Sequence, residues 1–195
     1  MKIIGGRLKG RNFYMPAGLR PTQNVIREAV FNLIGPAIEN ASFLELFAGS
    51  GSVGLEAVSR GAKEVIFIEK DLKSAGVIEE NLNILGLQGK DKYSHNISVI
   101  NGDVFAAIKV MAKQGKKFDY IFLDPPYQAG LVKKTLKTLG AYDILQPNCL
   151  VVVEYSKHES ADDENEGFFL LKERKYGKSF LAVFERRYED PKASL

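Results

Sequence analysis

The sequence predicts an α/β protein built on a doubly wound, mostly parallel β-sheet of the Rossmann-like class. From Ser42 onward, short apolar runs alternate with amphipathic stretches, as strands and helices do in consecutive βαβ units. A glycine-rich string, Gly49-Ser-Gly-Ser-Val-Gly54, joins the first apolar run to the first amphipathic stretch. Near the C-terminus, strand-like runs at 168–171 and 179–185 predict a closing antiparallel hairpin, which makes the sheet seven-stranded.

Composition narrows the class of protein. The 195 residues are 45% hydrophobic and 26% charged, which is typical of a globular protein with one well-formed core. No apolar run approaches the roughly 20 residues that cross a bilayer, and the N-terminus lacks a signal-peptide core. The single cysteine, Cys149, excludes an internal disulfide, and its apolar neighbours predict a buried side chain. We therefore expect a cytoplasmic monomer that needs no metal ion.

Positive charge is concentrated at the N-terminal end. Residues 1–34 contain six basic side chains and one acidic side chain, whereas the whole chain has a formal net charge of +3. Alternating apolar and basic residues around glycines predict a short hairpin over 2–14 that points Arg7, Lys9 and Arg11 outward. This distribution favours a phosphate-binding surface, with a merely solvated face as the alternative.

A loop and a helix follow this hairpin. Two prolines and a glycine predict a loop over 15–21 that holds Arg20. Thr22 is predicted to cap a helix that runs to about Ile34. The apolar stripe of this helix predicts that Arg27 points away from the core, near Arg20.

The rest of the chain alternates strands and helices. Strands are predicted at 43–47, 64–68, 97–101, 118–123 and 149–154. Helices are predicted between them, at 52–60, 71–86, 103–114 and 130–140. Gly61 and Gly86 fall at helix ends, where a left-handed residue is needed. The polar, acidic segment 158–167 predicts a surface loop before the closing hairpin.

The turn after the first strand suits a nucleotide. Gly49 and Gly51 let the backbone adopt a positive φ and approach a ligand closely. Glu69 follows Gly49 by 20 residues, at the end of the second strand, where a carboxylate accepts hydrogen bonds from ribose hydroxyls. The pattern predicts a cofactor that contains adenosine, but it does not distinguish NAD from S-adenosylmethionine. The alternative is an ordinary tight turn between a strand and a helix.

A second motif, Asp124-Pro-Pro-Tyr127, directly follows the strand 118–123. Two consecutive prolines fix the backbone and leave their carbonyl groups facing outward. A carboxylate and a carbonyl beside an aromatic ring can accept both N–H bonds of a planar exocyclic amine and stack on its ring. This arrangement would direct the nitrogen lone pair at a methyl donor, so it favours S-adenosylmethionine over NAD. A proline-rich turn without a function is the alternative.

Together these motifs resemble the RsmD family, bacterial methyltransferases that modify the exocyclic amine of one guanine in small-subunit ribosomal RNA. The matching strings are, in order, Arg20-Pro-Thr22, Arg27-Glu-Ala29, Glu45-Leu-Phe-Ala-Gly-Ser-Gly51, Gly54-Leu-Glu-Ala57 and Asp124-Pro-Pro-Tyr127. The resemblance covers nearly the whole chain. It implies the fold of a class I S-adenosylmethionine-dependent methyltransferase, with an N-terminal extension (1–36) and a methyltransferase domain (37–195) in one compact unit.

The resemblance also implies roles for individual residues. S-adenosylmethionine would be bound by Glu45, Phe47, Ala48, Gly49, Ser50, Gly51, Glu69, Lys70, Asp103 and Val104. In this set, Glu69 would contact the ribose and Asp103 the adenine amine. The flipped guanine would be held by Asp124, Pro125, Pro126 and Tyr127. RNA would be contacted by Arg7, Lys9, Arg11, Arg20, Thr22 and Arg27.

The expected partner is small-subunit ribosomal RNA, within an assembling or assembled 30S particle. Two alternatives stay open. The Asp-Pro-Pro-Tyr motif is shared with amino methyltransferases that act on DNA adenine or protein glutamine. A non-catalytic nucleotide-binding module would account for the glycine-rich turn alone.

Overall fold

The protein folds around one mixed β-sheet. A computed structural model describes residues 1–16, 22–88, 95–126, 130–156, 164–165 and 167–186. The strands in these residues are β1 (Ser42–Leu46), β2 (Glu64–Glu69), β3 (Asn96–Asn101), β4 (Phe118–Leu123), β5 (Leu145–Ser156), β6 (Glu164–Asn165), β7 (Phe168–Tyr176) and β8 (Ser179–Arg186). Their order is β3-β2-β1-β4-β5-β8-β7-β6. The first five strands are parallel, and β8 returns antiparallel to β5, so the predicted Rossmann-like class I fold is confirmed.

The structure adds one strand to the seven that were predicted. The two-residue strand β6 lies inside the segment 158–167, which was predicted to be a loop. It pairs antiparallel with the first two residues of β7, Phe168 and Phe169. This pairing occupies backbone groups at the start of an edge strand, where they would otherwise have no partner in the sheet.

Helices cover both faces of the sheet. The α-helices in the described residues are α1 (Asn24–Ile34), α2 (Ser52–Ser59), α3 (Leu72–Ile84), α4 (Val104–Lys113) and α5 (Leu131–Ala141). One face packs against α1, α2, α3 and the N-terminal segment, and the other packs against α4 and α5. Gly61 and Gly86 have φ angles of 99° and 68°, as predicted for helix ends. Cys149 is buried, also as predicted. No helix among the described residues is long and apolar enough to cross a membrane.

The N-terminal segment, residues 1–16, contains the predicted short hairpin. Lys2 and Asn12 form an antiparallel bridge, flanked by hydrogen bonds from the Phe13 amide to the Met1 carbonyl (2.9 Å) and from the Ile3 amide to the Arg11 carbonyl (3.0 Å). The amides of the turn lie outside this cross-strand pairing. The amide of Arg7 instead donates to the carbonyl of Ser59 (2.8 Å), and the amide of Leu8 donates to the Ser59 hydroxyl (3.0 Å). These two hydrogen bonds attach the turn of the hairpin to the C-terminal end of α2.

Candidate active site

A cavity of about 570 Å³ opens at the carboxyl ends of the parallel strands β1 to β4. Its volume lies within the roughly 300–1,000 Å³ that is typical of small-molecule sites. The predicted site residues in its wall are Glu45, Phe47, Ala48, Gly49, Ser50, Glu69, Lys70, Asp103, Val104, Asp124, Pro125 and Pro126. The glycine-rich turn and the Asp124 motif, which are distant in sequence, therefore face the same space.

The glycine-rich turn is held against β2. The amide of Ala48 donates to the carbonyl of Ile68 (3.0 Å), and the amide of Gly49 donates to the Glu69 carboxylate (2.7 Å). Gly49 has a φ of 55°, and a Cβ built there would meet no atom within 4 Å. The backbone at Gly49 is therefore open to a ligand.

Gly51 has a structural role at the start of α2. It has a φ of 73° and is the N-cap residue of α2. A Cβ at this position would approach Phe67 to 3.0 Å and Ile78 to 3.1 Å. Gly51 therefore starts the helix and packs closely against α3 and β2, while its predicted contact with the cofactor stays a prediction.

Phe47 holds an unusual backbone conformation at the mouth of the turn. Its φ is 57°, a left-handed value that is rare for a bulky side chain. The ring packs edge-on against Phe105, with centroids 6.5 Å apart. Positive φ values in residues other than glycine cluster at functional sites, where the surrounding structure holds the strain.

Glu45 is a buried carboxyl in the cavity wall, with 2% of its surface exposed. It accepts hydrogen bonds from the amides of Gly54 (2.7 Å) and Val53 (3.3 Å). Burial raises the pKa of Glu45 to about 8, the two amides oppose this rise, and the nearby Asp124 and Glu69 add to it. A carboxyl in this state is largely neutral near pH 7, and a cation bound beside it would favour its ionised form.

Glu69 and Asp103 accept hydrogen bonds from backbone amides, and each can accept further hydrogen bonds from a ligand. The Glu69 carboxylate accepts from the amides of Gly49 and Asp71, one on each oxygen. One oxygen of Asp103 accepts from the amides of Phe105 and Ala106 and so caps α4. A carboxylate offers about four lone-pair positions, so two remain on each side chain.

Asp124 and the two prolines form the other end of the cavity. They follow Leu123, the last residue of β4. Asp124 is half-buried, Pro125 is buried and Pro126 is exposed. The carboxylate therefore stands at the boundary between the cavity and solvent, where a base could enter. Tyr127 and Arg20 lie outside the described residues.

Several lining residues were not predicted for this cavity: Thr22, Ser52, Ser74, Phe105, Phe122, Leu131 and Lys134. Most of them lie in the first turn of a helix that follows a parallel strand. In a doubly wound sheet those first turns face the ligand crevice, so the topology could have identified them. Lys134 has its Nζ atom 4.0 Å from the centroid of the Phe105 ring.

The N-terminal basic residues differ in exposure, since Lys9 and Arg11 are exposed and Arg7 is half-buried. Arg27 is fully buried, so the prediction that it points away from the core is wrong. It donates to the carbonyl of Lys2 (2.9 Å) and to Asn24 (2.6 Å), and its Nη1 lies 3.9 Å from Glu56. Burial lowers the pKa of Arg27, and the charge of Glu56 opposes this shift.

The other N-terminal predictions have mixed outcomes. Arg11 donates to the carbonyls of Leu85 (2.7 Å) and Ile84 (2.9 Å) at the end of α3, so its guanidinium is used within the fold. Thr22 is buried in the cavity wall, and it does not cap α1, whose N-cap residue is Gln23. Arg7 is half-buried, and Lys9 is exposed.

The cavity fits an adenosine-containing methyl donor. The Gly49 backbone leaves room for a ligand, two carboxylates follow the adjacent strands β2 and β3, and Val104 supplies an apolar surface. A cation bound beside the buried Glu45 would favour the ionised form of this carboxyl. Glu69, Asp103 and Glu45 would hold the ribose, the adenine amine and the positively charged part of such a molecule.

Comparison with known proteins identifies the group to which the chain belongs. A family profile described as "Conserved hypothetical protein 95" matches residues 1–185. A protein of Haemophilus influenzae named ribosomal RNA small subunit methyltransferase D is 36% identical over 91% of this chain and 89% of its own length. A protein of Bacillus subtilis named putative rRNA methyltransferase YlbH is 32% identical over 96% of this chain and its own full length.

Solved structures agree with this relationship. The putative methyltransferase yhhF from Escherichia coli has a TM-score of 0.82 and 31% identity, over 96% of this chain and 98% of its own. An RNA methyltransferase from Salinibacter ruber, solved with S-adenosyl-L-homocysteine, has a TM-score of 0.65 at 15% identity and so shares the fold. By sequence and by structure, the chain belongs to the RsmD family.

Proposed function

We propose that the protein transfers a methyl group from S-adenosylmethionine to the exocyclic amine of a guanine in small-subunit ribosomal RNA. The observation that carries this proposal is the shared cavity, in which Asp124 and Pro125 face the glycine-rich turn and Glu69. The names of its relatives support an RNA substrate, since several are called ribosomal RNA small subunit methyltransferase D.

Methyl transfer requires the protein to position the exocyclic amine of the base, and it does not require a strong base that deprotonates this amine. The nitrogen lone pair of a base's amine is delocalised into the ring, which makes the amine a weak nucleophile. When bound, S-adenosylmethionine supplies an electrophilic methyl group on a positively charged sulfur. The Asp124 carboxylate and the Pro125 carbonyl would accept the two N–H bonds and stabilise the charge that grows on nitrogen. The methylated nitrogen then loses one proton to solvent.

The base must leave its stack to reach Asp124. Extruding a base costs a few kcal/mol, and the cost is lowest where the base is unpaired. Asp124 at the cavity mouth would receive such a base from solvent, while the buried Glu45 and the glycine-rich turn hold the cofactor farther in. Tyr127, from the same motif, would stack on the ring.

The test is transfer of tritium from labelled S-adenosylmethionine to small ribosomal subunits that lack the modification, followed by nucleoside analysis. The expected product is guanosine methylated on its exocyclic amine. Parallel reactions with DNA and with a peptide-chain release factor serve as comparisons. Label in adenine or in protein glutamine would overturn the guanine assignment, and no label in any substrate would overturn methyl transfer itself.

A pair of variants tests the role of Asp124. Asp124→Ala removes the acceptor, so we expect transfer to fall at least about a hundredfold, as when one preorganised charge-stabilising group is lost. The affinity for S-adenosylmethionine, measured by calorimetric titration, should stay within a few-fold. Asp143→Ala, which removes an exposed carboxylate paired with Lys117, is the control and should keep full activity. Equal losses of cofactor binding and activity in Asp124→Ala would contradict the role in catalysis.

A further inference from the structure

The tip of the β7–β8 hairpin carries an exposed cluster of basic side chains. Lys172, Arg174, Lys175 and Lys178 lie within seven residues and are all exposed. The same stretch contains one acidic residue, Glu173, which accepts a hydrogen bond from the Tyr155 hydroxyl. None of the four basic residues forms an ion pair with a carboxylate in the part of the chain that the structure describes.

Strand register locates this cluster relative to the active site. Leu123, the last residue of β4, pairs with Val153 of β5, which pairs with Ala182 of β8, which pairs with Glu173 of β7. The chain beyond Glu173 therefore extends past the carboxyl end of β4, at the same edge of the sheet as Asp124. Because β7 is three strands from β4, the lateral separation is roughly 14 Å at about 4.8 Å per strand.

The cluster reaches both faces of the sheet at this edge. Arg174 is paired with Leu181, which packs in the core beneath α1, whereas Lys175 is paired with Phe180, which packs on the side of α5. The Nζ atom of Lys175 lies 6.0 Å from the centroid of the Phe180 ring. Cations on both sides of one narrow hairpin can follow a strand of phosphates that crosses its tip.

The basic residues of the N-terminal segment and α1 are less concentrated at the surface, where Lys2 and Lys9 are exposed and Arg7 is half-buried. Arg27 is buried, and Arg11 is bonded to the end of α3. Phosphate binding depends on the number of cations that can release counterions, so buried or bonded guanidinium groups contribute little. The hairpin tip is therefore the better candidate for a phosphate-binding surface.

We infer that the hairpin tip, residues 172–178, binds phosphates of the RNA strand next to the target base. This inference rests on the proposed function, because it extends the same substrate beyond the cavity. A stacked strand that rises roughly 3.4 Å per nucleotide would cover the 14 Å with about four nucleotides. Such contacts set the position of the RNA on the protein, while the cavity selects the base.

The test compares two variants with the same change in net charge. Arg174→Ser/Lys175→Ser/Lys178→Ser removes three cations from the tip. The control, Lys63→Ser/Lys109→Ser/Lys113→Ser, also removes three exposed cations, one just before β2 and two in α4. Binding to small-subunit ribosomal RNA and to small subunits that lack the modification is measured by filter retention at several salt concentrations, together with methyl transfer.

We expect the tip variant to lose at least tenfold in RNA affinity, while the control variant stays within threefold of the wild type. The slope of log affinity against log salt should become shallower by about two in the tip variant, because each phosphate contact contributes about 0.7 on a single strand. Maximal turnover at saturating RNA and the affinity for S-adenosylmethionine should be unchanged, which separates this effect from misfolding.

The outcomes distinguish the inference from the proposed function. If the wild type methylates RNA and the tip variant binds RNA as the wild type does, the inference is overturned and the function stands. If the wild type binds RNA without methylating it and the tip variant loses this binding, the inference stands and the function fails. Equal losses in the two variants would mean that net charge alone matters, which also overturns the inference.

Discussion

Helix α2 has two buried glutamates with different surroundings, one inside the helix and one beneath its first turn. Glu56, inside the helix, accepts hydrogen bonds from Arg60 (2.9 Å) and from the amide of Ile4 (2.9 Å), and it lies 3.9 Å from Arg27. Glu45, beneath the first turn of the helix, accepts only from backbone amides among the described residues. Its pKa is raised to about 8, while Glu56 is surrounded by cations that belong to the fold.

This difference distinguishes Glu56, which is paired with cations of the fold, from Glu45, which is available to a cationic ligand. A buried ion that the protein itself neutralises holds two parts of the chain together, here the N-terminal segment and α2. A buried carboxyl in a cavity wall, such as Glu45, which forms no ion pair among the described residues, is stabilised in its ionised form by a cationic ligand.

Removing Arg27 should destabilise the protein strongly. Arg27→Ala leaves a cavity beside Phe13 and removes a buried cation from Glu56, so we expect a loss of about 3 kcal/mol in the free energy of unfolding. Urea denaturation measures this loss. Arg174→Ala, on the exposed hairpin, is the control and should stay within about 0.5 kcal/mol of the wild type. A mild effect at Arg27 would mean that the ion pair with Glu56 is not needed for the fold.

The contrast between Arg27 and β4 shows which parts of the structure the sequence could predict. The strand over 118–123 was predicted with its observed ends, because an apolar run bounded by charged residues is a local signal. The burial of Arg27 depends on Glu56, which is 29 positions away, and on the docking of residues 1–16. Local periodicity carries no information about such a partner.

In the candidate site, too, some features could be predicted from the sequence and others could not. Both motifs and the carboxylates at the strand ends were predicted, because they follow directly from the βαβ order. The close packing of Gly51 against Phe67 and Ile78 could not be predicted, because a glycine that packs against side chains and a glycine that approaches a ligand have the same sequence context. Lys134 was missed because nothing local distinguishes it from the other lysines of α5.

Glu45 should make stability depend on pH. Between its unfolded pKa of about 4.5 and its folded pKa of about 8, the folded state binds one more proton than the unfolded state, so stability falls as pH rises. At about 1.4 kcal/mol per pH unit, this amounts to roughly 2 kcal/mol between pH 6 and pH 8. Urea denaturation at the two pH values measures it.

Glu45→Gln supplies the control for that measurement. The amide cannot ionise but keeps an oxygen that can accept from Gly54, so the contribution of Glu45 to the fall in stability should disappear. Titrations elsewhere in the chain are shared by both proteins and cancel in the difference. An unchanged pH dependence in the variant would show that Glu45 is already ionised at neutral pH in the free protein.

The same substitution should weaken cofactor binding by about tenfold, or 1.4 kcal/mol, because the variant cannot supply a negative charge to a cationic ligand. Calorimetric titration at pH 7 in two buffers with different heats of ionisation measures both affinity and proton exchange. The wild type should release more protons than the variant when it binds S-adenosylmethionine. Glu28→Gln, on the exposed side of α1, should bind as the wild type does. Equal proton release in the two proteins would contradict the cation-binding role of Glu45.

The smallest effect concerns Arg11, a paired cation nearer the surface. Its guanidinium bonds to two carbonyls at the end of α3, so Arg11→Ala should cost about 1 kcal/mol in thermal or urea unfolding. Arg11→Lys keeps the charge but loses the forked geometry, and it should recover only part of that loss. If Arg11 acts only within the fold, RNA affinity per folded molecule should remain within twofold of the wild type in both variants. A tenfold loss of RNA affinity with unchanged stability would place Arg11 at the RNA surface, as the sequence first suggested.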